Sequence, residues 1–228
     1  MSLHLHVKTR LLIAAALLPA CATRGDETPD VKEILKTVRL AQTSQDRTLT
    51  GFLRTEGKKV PFRLIMKDNV VRWEFSDPPQ SLVLRLGESS SQFEEITPDG
   101  KRKVATERLD DRVRGSDITY ADLTMNFLYW PNAKIEGEQT IAATKCWQVL
   151  CVPSAPSDSP YSKVRVWVGK SDGALRKAEM FNREGKLARS FLVYNVQKAE
   201  DGQWLLKSMR IQAAGARSPS YIEIDKPK

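Results

Sequence analysis

The chain has 228 residues, 36 Lys and Arg against 28 Asp and Glu for a net charge of +8, and only two histidines. Both of these, His4 and His6, fall in a leader that export removes, which excludes Ser–His and Cys–His nucleophiles and histidine-ligated zinc from the mature chain. The positive charge is spread along the sequence, and no arginine-rich or RNP-like motif accompanies it, which argues against nucleic acid as a partner.

The leader reads as a secretory signal. Lys8 and Arg10 form a basic start, Leu11 to Leu18 an apolar core too short to span a bilayer, and Pro19 breaks it before Ala20-Cys21-Ala22. Cleavage after Ala22 is preferred, giving a chain soluble in the periplasm. The alternative reads Leu18-Pro19-Ala20-Cys21 as a lipobox, which makes Cys21 a lipidation site and the protein lipid-anchored. Residues 1–22 are thus a signal peptide, and 23–228 a single domain of 206 residues with net charge +6.

The first mature element is an amphipathic helix. Thr28 as N-cap, Pro29 at the first position and Asp30 in the first turn start it, and Val31, Ile34, Leu35, Val38 and Ala41 form its apolar stripe. From Arg47 the period changes to two. Thr48–Thr55 turns at Gly57-Lys58 into Phe62, Leu64 and Met66, and Asp68-Asn69 turns into Val71, Trp73 and Phe75. Asp77-Pro78-Pro79 leads to Leu82, Leu84 and Leu86, and a polar hairpin over Gln92–Ile96 and Arg102–Glu107 turns at Pro98-Asp99-Gly100.

Residues 114–131 interrupt this alternation. Thr119 to Asp122 is a Thr-x-x-Asp start, close to a capping box, and Leu123, Phe127 and Trp130 follow at helical spacing up to Pro131. The spacing predicts one short helix covering the sheet's concave face as a lid. Asp117 or Thr119 caps it, Asp122 favours its dipole, and Leu123 and Phe127 point inward. The alternative is a helix that simply fills core.

Strands resume over Ala133–Ala142 and Lys145–Val152, followed by the loop Ser154–Pro160, the most disordered-looking stretch of the mature chain. Further strands lie around Val164–Val168, Leu175–Phe181, Leu187–Val196, Trp204–Ile211 and Tyr221–Ile224. Short turns make successive strands antiparallel neighbours. About a dozen strands are too many to stay flat, so the fold class is mainly β, a curled antiparallel meander forming a half-open barrel covered by two helices. The apolar face then lines a wide cavity that side chains alone do not fill: Phe62, Leu64, Met66, Val71, Trp73, Phe75, Leu82, Leu84 and Leu86, with Leu123 and Phe127 from the lid. The apolar bands are too short and too charge-interrupted for an outer-membrane barrel.

Little here points to catalysis. Glu94-Glu95, Asp110-Asp111, Asp117 and Asp122 are the carboxylate clusters, and no spacing sets two of them across a cleft. Ser89–Ser91 and Ser116 lie outside any nucleophile elbow, and the glycines are scattered turn residues. Cys146 and Cys151, five apart on one strand, point to opposite faces and read as buried thiols, with a distorted bridge as the alternative in an oxidising compartment. No cofactor and no metal is called for.

The segment GSDITYADL, with Gly115, Ser116, Asp117, Ile118, Tyr120, Asp122 and Leu123, resembles the GSD-x-x-Y-x-DL signature of a branch of the LolA-like family of outer-membrane lipoprotein-sorting proteins. Residues 164–191, VRVWVGKSDGALRKAEMFNREGKLARSF, are similar to that branch as well. The resemblance implies a monomeric, non-catalytic periplasmic carrier whose half-barrel takes up lipoprotein acyl chains or another lipid. It also implies inner-membrane export machinery and an outer-membrane acceptor as partners. Such a carrier needs a deep apolar pocket, since each methylene exposed to water costs about 0.8 kcal/mol. The competing readings are an envelope structural or interaction protein with a filled core and, more remotely, a carboxylate-based hydrolase.

Overall fold

The computed structural model describes residues 28–43 and 46–227. The expected leader, its expected cleavage site and Cys21 lie outside the described residues. Among the described residues, no helix is long and apolar enough to cross a membrane.

Helix α1 spans Val31–Thr43. Its cap is two residues later than the sequence suggests: Asp30, not Thr28, accepts the Lys32 amide at 2.9 Å through Oδ1, and its carbonyl takes the Glu33 and Ile34 amides. A carboxylate at this position satisfies free N–H groups and suits the positive end of the helix dipole.

Thirteen strands follow: β1 (Arg47–Thr55), β2 (Lys58–Lys67), β3 (Val70–Phe75), β4 (Gln80–Leu86), β5 (Ser91–Thr97), β6 (Gly100–Lys103), β7 (Asn132–Ile141), β8 (Thr144–Val152), β9 (Lys163–Gly169), β10 (Leu175–Phe181), β11 (Leu187–Lys198), β12 (Trp204–Ala213) and β13 (Ser220–Ile224). All pair antiparallel in one open sheet of order β6-β5-β4-β3-β2-β1-β13-β12-β11-β10-β9-β8-β7. β6 stops at Lys103, short of the expected Glu107, because Thr106–Arg108 coils into a 3₁₀ turn.

This order fixes the path of everything else. The chain enters the sheet in its middle, where β1 pairs with both β2 and β13, and runs out to one edge at β6. It then crosses to the opposite edge at β7 and returns to the middle. Residues 104–131 make that crossing over the inward face, and their apolar side chains join both halves of the core. The first half packs β1–β5, β12 and β13 against Val113, Ile118, Tyr120 and Leu123 of the crossing. The second packs β8–β10 against Ile34, Leu35 and Val38 of α1 and against Ala121, Phe127 and Leu128.

The crossing segment is not one helix. Helix α2 covers only Tyr120–Thr124, Met125 turns left-handed (φ 45°), and a separate 3₁₀ turn covers Asn126–Tyr129. The reason lies in the two cores. In an unbroken helix Leu123 and Phe127, four apart, would share a face. Leu123 belongs to the first core and Phe127 to the second, and the break at Met125 redirects the chain between them.

Candidate functional site

The expected cavity side chains do face inward. Phe62, Leu64, Met66, Val71, Phe75, Leu82, Leu84 and Leu86 are buried, and Trp73 packs against them partly exposed. Leu123 joins this group, whereas Phe127 lies in the other core. Among the described residues these side chains pack against the crossing segment rather than around a wide cavity. The space bounded by Leu53, Phe62, Trp73, Phe75, Val113, Ile118, Leu123 and Ile222 measures about 10 Å³, room for one water molecule at most. The crossing segment supplies side chains where the alternation of the strands implies emptiness.

What holds that segment is unlike what holds the sheet. From Arg108 to Leu123 its backbone-to-backbone hydrogen bonds close within the segment, among them Val113 N to Ile118 O at 2.8 Å and Tyr120 N to Asp111 O at 3.1 Å. Arg114 (φ 53°) and Gly115 (φ 72°) turn this loop left-handed, a conformation glycine adopts at little cost. The Ser116 hydroxyl accepts the Ile118 amide at 3.1 Å, and the Asp117 amide donates to Ser220 Oγ on β13 at 3.0 Å. Thr119 caps α2, and Asp122 reaches back to its amide at 2.8 Å and its hydroxyl at 2.9 Å. Asp117 does not cap the helix; it faces Arg112 at 3.9 Å.

Two polar pins then fasten α2 to the sheet. Tyr120 and Asp122, two apart on a helix, project about 200° from each other. On one side the Tyr120 hydroxyl donates to Glu95 Oε1 at 3.0 Å, and Gln80 Nε2 donates to the same oxygen at 2.7 Å and to the Tyr120 hydroxyl at 3.0 Å. Arg108 Nη1 and Arg102 Nε reach Glu95 Oε2 at 2.6 and 3.1 Å. Burial acts to raise the Glu95 carboxyl, but hydrogen bonds from Arg108, Gln80 and Tyr120 outweigh it and hold the group down at about 2.

On the other side Asp122, whose side chain is fully buried, accepts the Tyr161 hydroxyl at 2.5 Å and lies 3.7 Å from Arg189 Nε. Arg189, from β11, donates through Nε to the Asp117 carbonyl and through Nη1 to the Tyr161 hydroxyl, both at 2.7 Å. Burial pushes the Asp122 carboxyl above its ordinary value, and Arg189 and the hydrogen bonds offset this only in part. Burial, and then Asp122, also push the Tyr161 hydroxyl up, so it stays a donor. Beyond α2, Arg39 of α1 donates to the Leu128 carbonyl at 2.5 Å and lies over the Tyr129 ring at 4.8 Å.

Of the residues the resemblance points to, Ser116, Asp117, Tyr120 and Asp122 make the bonds just described, Gly115 turns the loop left-handed, and Leu123 packs in the first core. Their receivers, Glu95, Arg108, Gln80, Tyr161 and Arg189, are not evident from the sequence. Phe93 and Glu95 share the inward face of β5, so a carboxylate in an apolar register is the one signal available for the first group. Tyr161 follows the stretch expected to be disordered, which instead forms a 3₁₀ turn at Pro156–Asp158 and buries Ser159.

The carboxylate clusters are spoken for: Glu94 meets Lys101 at 2.9 Å, Asp111 meets Arg108 at 2.9 Å, and Glu95 and Asp122 serve the pins. Among the described residues, no three His, Cys, Asp or Glu gather to hold a metal. Cys146 and Cys151 are free and buried, and burial pushes the Cys151 thiol up to about 12.

A family model described as "Uncharacterized protein" matches residues 99–228. No curated protein matches the chain by sequence. Among solved structures it is similar to an outer membrane lipoprotein-sorting protein domain, so described, from Vibrio parahaemolyticus (14% identity, TM-score 0.66, 86% of this chain and 90% of that one). It is also similar to a DUF1329 family protein from Desulfovibrio piger (15%, 0.63, 87% and 92%) and to a LolA superfamily protein from Nitrosomonas europaea (15%, 0.62, 86% and 93%). At such identities the likeness is one of fold, the LolA-type half-barrel.

Proposed function

We propose, on the premise that the chain belongs to the family described as an uncharacterized protein whose model spans residues 99–228, that it is a non-catalytic periplasmic carrier. It takes up an acyl chain of a lipoprotein or another lipid between its sheet and its crossing segment. One observation carries this reading: the apolar face of an open sheet is covered by a segment that side-chain ties hold, while its backbone-to-backbone bonds close within itself. Such a cover lifts without breaking the sheet. Burying a sixteen-carbon chain supplies a gross driving force on the order of 10 kcal/mol, against which stands the exposure of Val113, Ile118 and Leu123. The chain takes their place against the sheet, apolar group for apolar group.

The interior void of about 10 Å³ favours a second reading, an envelope interaction protein whose core is permanently filled. Hydrogen exchange with and without a synthetic triacylated lipopeptide decides between them. A carrier exchanges residues 105–130 faster than β1–β4 when empty, and slows them when the lipopeptide is added. If that segment is as slow as the strands in both conditions, it is core and the carrier reading fails.

A further inference from the structure

We propose that a groove at the end of β3–β5, beside β1 and β2, is the port through which a single fatty-acyl chain reaches the interior, with Phe62 and Phe75 as its gate; this rests on the carrier reading above. The groove encloses about 680 Å³, within the range of small-ligand sites. Its polar lining is largely self-satisfied. Arg63 Nε lies 3.5 Å from Glu74 Oε2, and Thr50 Oγ1 donates to Asp225 Oδ2 at 2.7 Å. Phe52, Pro61 and Ile96 then offer apolar contact. A peptide in this groove would bring amides and carbonyls in need of partners, whereas a hydrocarbon chain brings none.

The groove and the interior share a wall. Phe62 and Phe75 line both the groove and the small void beneath the crossing segment. Their rings stand edge to face with centroids 6.4 Å apart, and Phe62 stands likewise on Trp73 at 4.8 Å. Gly51 thins this wall: a Cβ there would lie 3.0 Å from Phe62 Cζ and 2.1 Å from the Glu223 carbonyl oxygen, so no side chain fits behind the ring.

The gate is tied to the crossing segment by Arg114. Its guanidinium lies over the Phe75 ring at 4.7 Å and donates to the Pro78 carbonyl, in the turn between β3 and β4. Its Nε is buried with no hydrogen-bond partner among the described residues. Lifting the segment carries Arg114 away and frees the Phe75 ring to turn. Entry through the port and lifting of the cover become one event.

Trp73 is the natural reporter, since it lines the inner void and a bromine within van der Waals reach quenches indole fluorescence. The full mature chain is mixed with 12-bromododecanoate in a stopped-flow instrument, and the trace of Trp73→Phe is subtracted to isolate the Trp73 signal. Ile96→Glu and Ile96→Lys place a charge of either sign in the groove on a partly exposed position, so a common effect is obstruction and not repulsion of the probe. Both are expected to slow Trp73 quenching at least tenfold while circular dichroism and the thermal melt stay within a few degrees of the wild type. Arg114→Met is expected to speed it severalfold. Trp73 quenching at unchanged rates in all three variants overturns the port and leaves the carrier reading standing. An absence of Trp73 quenching in the wild-type chain at saturating probe overturns both.

Discussion

Neutralising Glu95 isolates the pin between α2 and β5. In Glu95→Gln the amide oxygen still accepts from Tyr120, but the charge that faces Arg102 and Arg108 is gone. The folded carboxyl sits at about 2 against an ordinary 4.5, because hydrogen bonds from Arg108, Gln80 and Tyr120 outweigh the opposing effect of burial. At 1.36 kcal/mol per unit this difference amounts to about 3 kcal/mol. The Arg102 and Arg108 side chains are 59% and 35% exposed, so solvent screening reduces the figure to about 1.5 kcal/mol. With its value depressed by folding, Glu95 binds fewer protons in the folded than in the unfolded state at acidic pH. Its contribution is therefore complete above pH 4.5 and is lost as the pH falls from there towards 2. At pH 7 the variant should be less stable than the wild type by about 1.5 kcal/mol, or about 3–6 °C in Tm. Urea titrations at pH 7, 5 and 3 should show a gap that is nearly the same at pH 7 and 5 and clearly smaller at pH 3. A gap of equal size at pH 7 and pH 3, or none at pH 7, would refute the charge argument and reduce Glu95 to a packing residue.

The second pin predicts a larger loss. Arg189→Ala strips a fully buried Asp122 of its counter-ion, and the midpoint of urea unfolding should report about 3–5 kcal/mol at pH 7. Part of that loss should disappear at acid pH: burial raises the Asp122 carboxyl in the fold, so the carboxylate left without Arg189 takes up a proton more readily still. At the other end of the chain, intact-mass analysis of the exported protein should give an unmodified chain beginning at Thr23. A diacyl or triacyl mass on Cys21 would replace a soluble carrier with a lipid-anchored one.

Much of the fold is legible in the sequence because a half-buried strand writes its inward face as every second residue. Phe62-Leu64-Met66 and Leu82-Leu84-Leu86 state both the strands and the side on which the core lies. The turns of Gly57, Asn69 and Gly100 set neighbours antiparallel. The crossing segment is less legible because its apolar residues serve two cores at once. A helical period extrapolated through Met125 puts Leu123 and Phe127 together, whereas the left-handed backbone there separates them. The filling of the cavity is hidden for a related reason: the strand pattern says which face is apolar, and nothing in it says how deeply 104–131 descends onto that face. Asp122 is visible in the sequence as a capping residue, but its partner Arg189 lies 67 positions later on a strand of alternating polarity, where an inward arginine looks like any outward one.

On the carrier reading proposed above, the topology selects which part of this protein moves, and the order of opening follows from it. A strand leaves the sheet only by giving up a ladder of backbone hydrogen bonds on one or both sides, and each unmade bond in a dry interior costs its desolvation. Among the described residues the crossing segment makes no backbone-to-backbone bond to the sheet between Arg108 and Leu123, so lifting it as a unit breaks only side-chain ties, including those of Ser220 and Arg189 to the Asp117 amide and carbonyl. What it gives up are apolar contacts, which a hydrocarbon chain restores, and the two pins. Because Tyr120 and Asp122 pull in opposite directions, breaking either one alone leaves the segment hinged on the other rather than free. Arg102, exposed, and Arg108, half-buried, make the Glu95 pin the weaker of the two; the other, with Asp122 and Tyr161 buried and Arg189 largely so, is the stronger. Opening therefore begins at the β5 side, the side of the sheet on which Phe75 and the Arg114 contact also lie. Release of Glu95 from Tyr120 and release of Arg114 from Phe75 uncover the same end of the interior, while the pin at Arg189 holds the segment to its hinge.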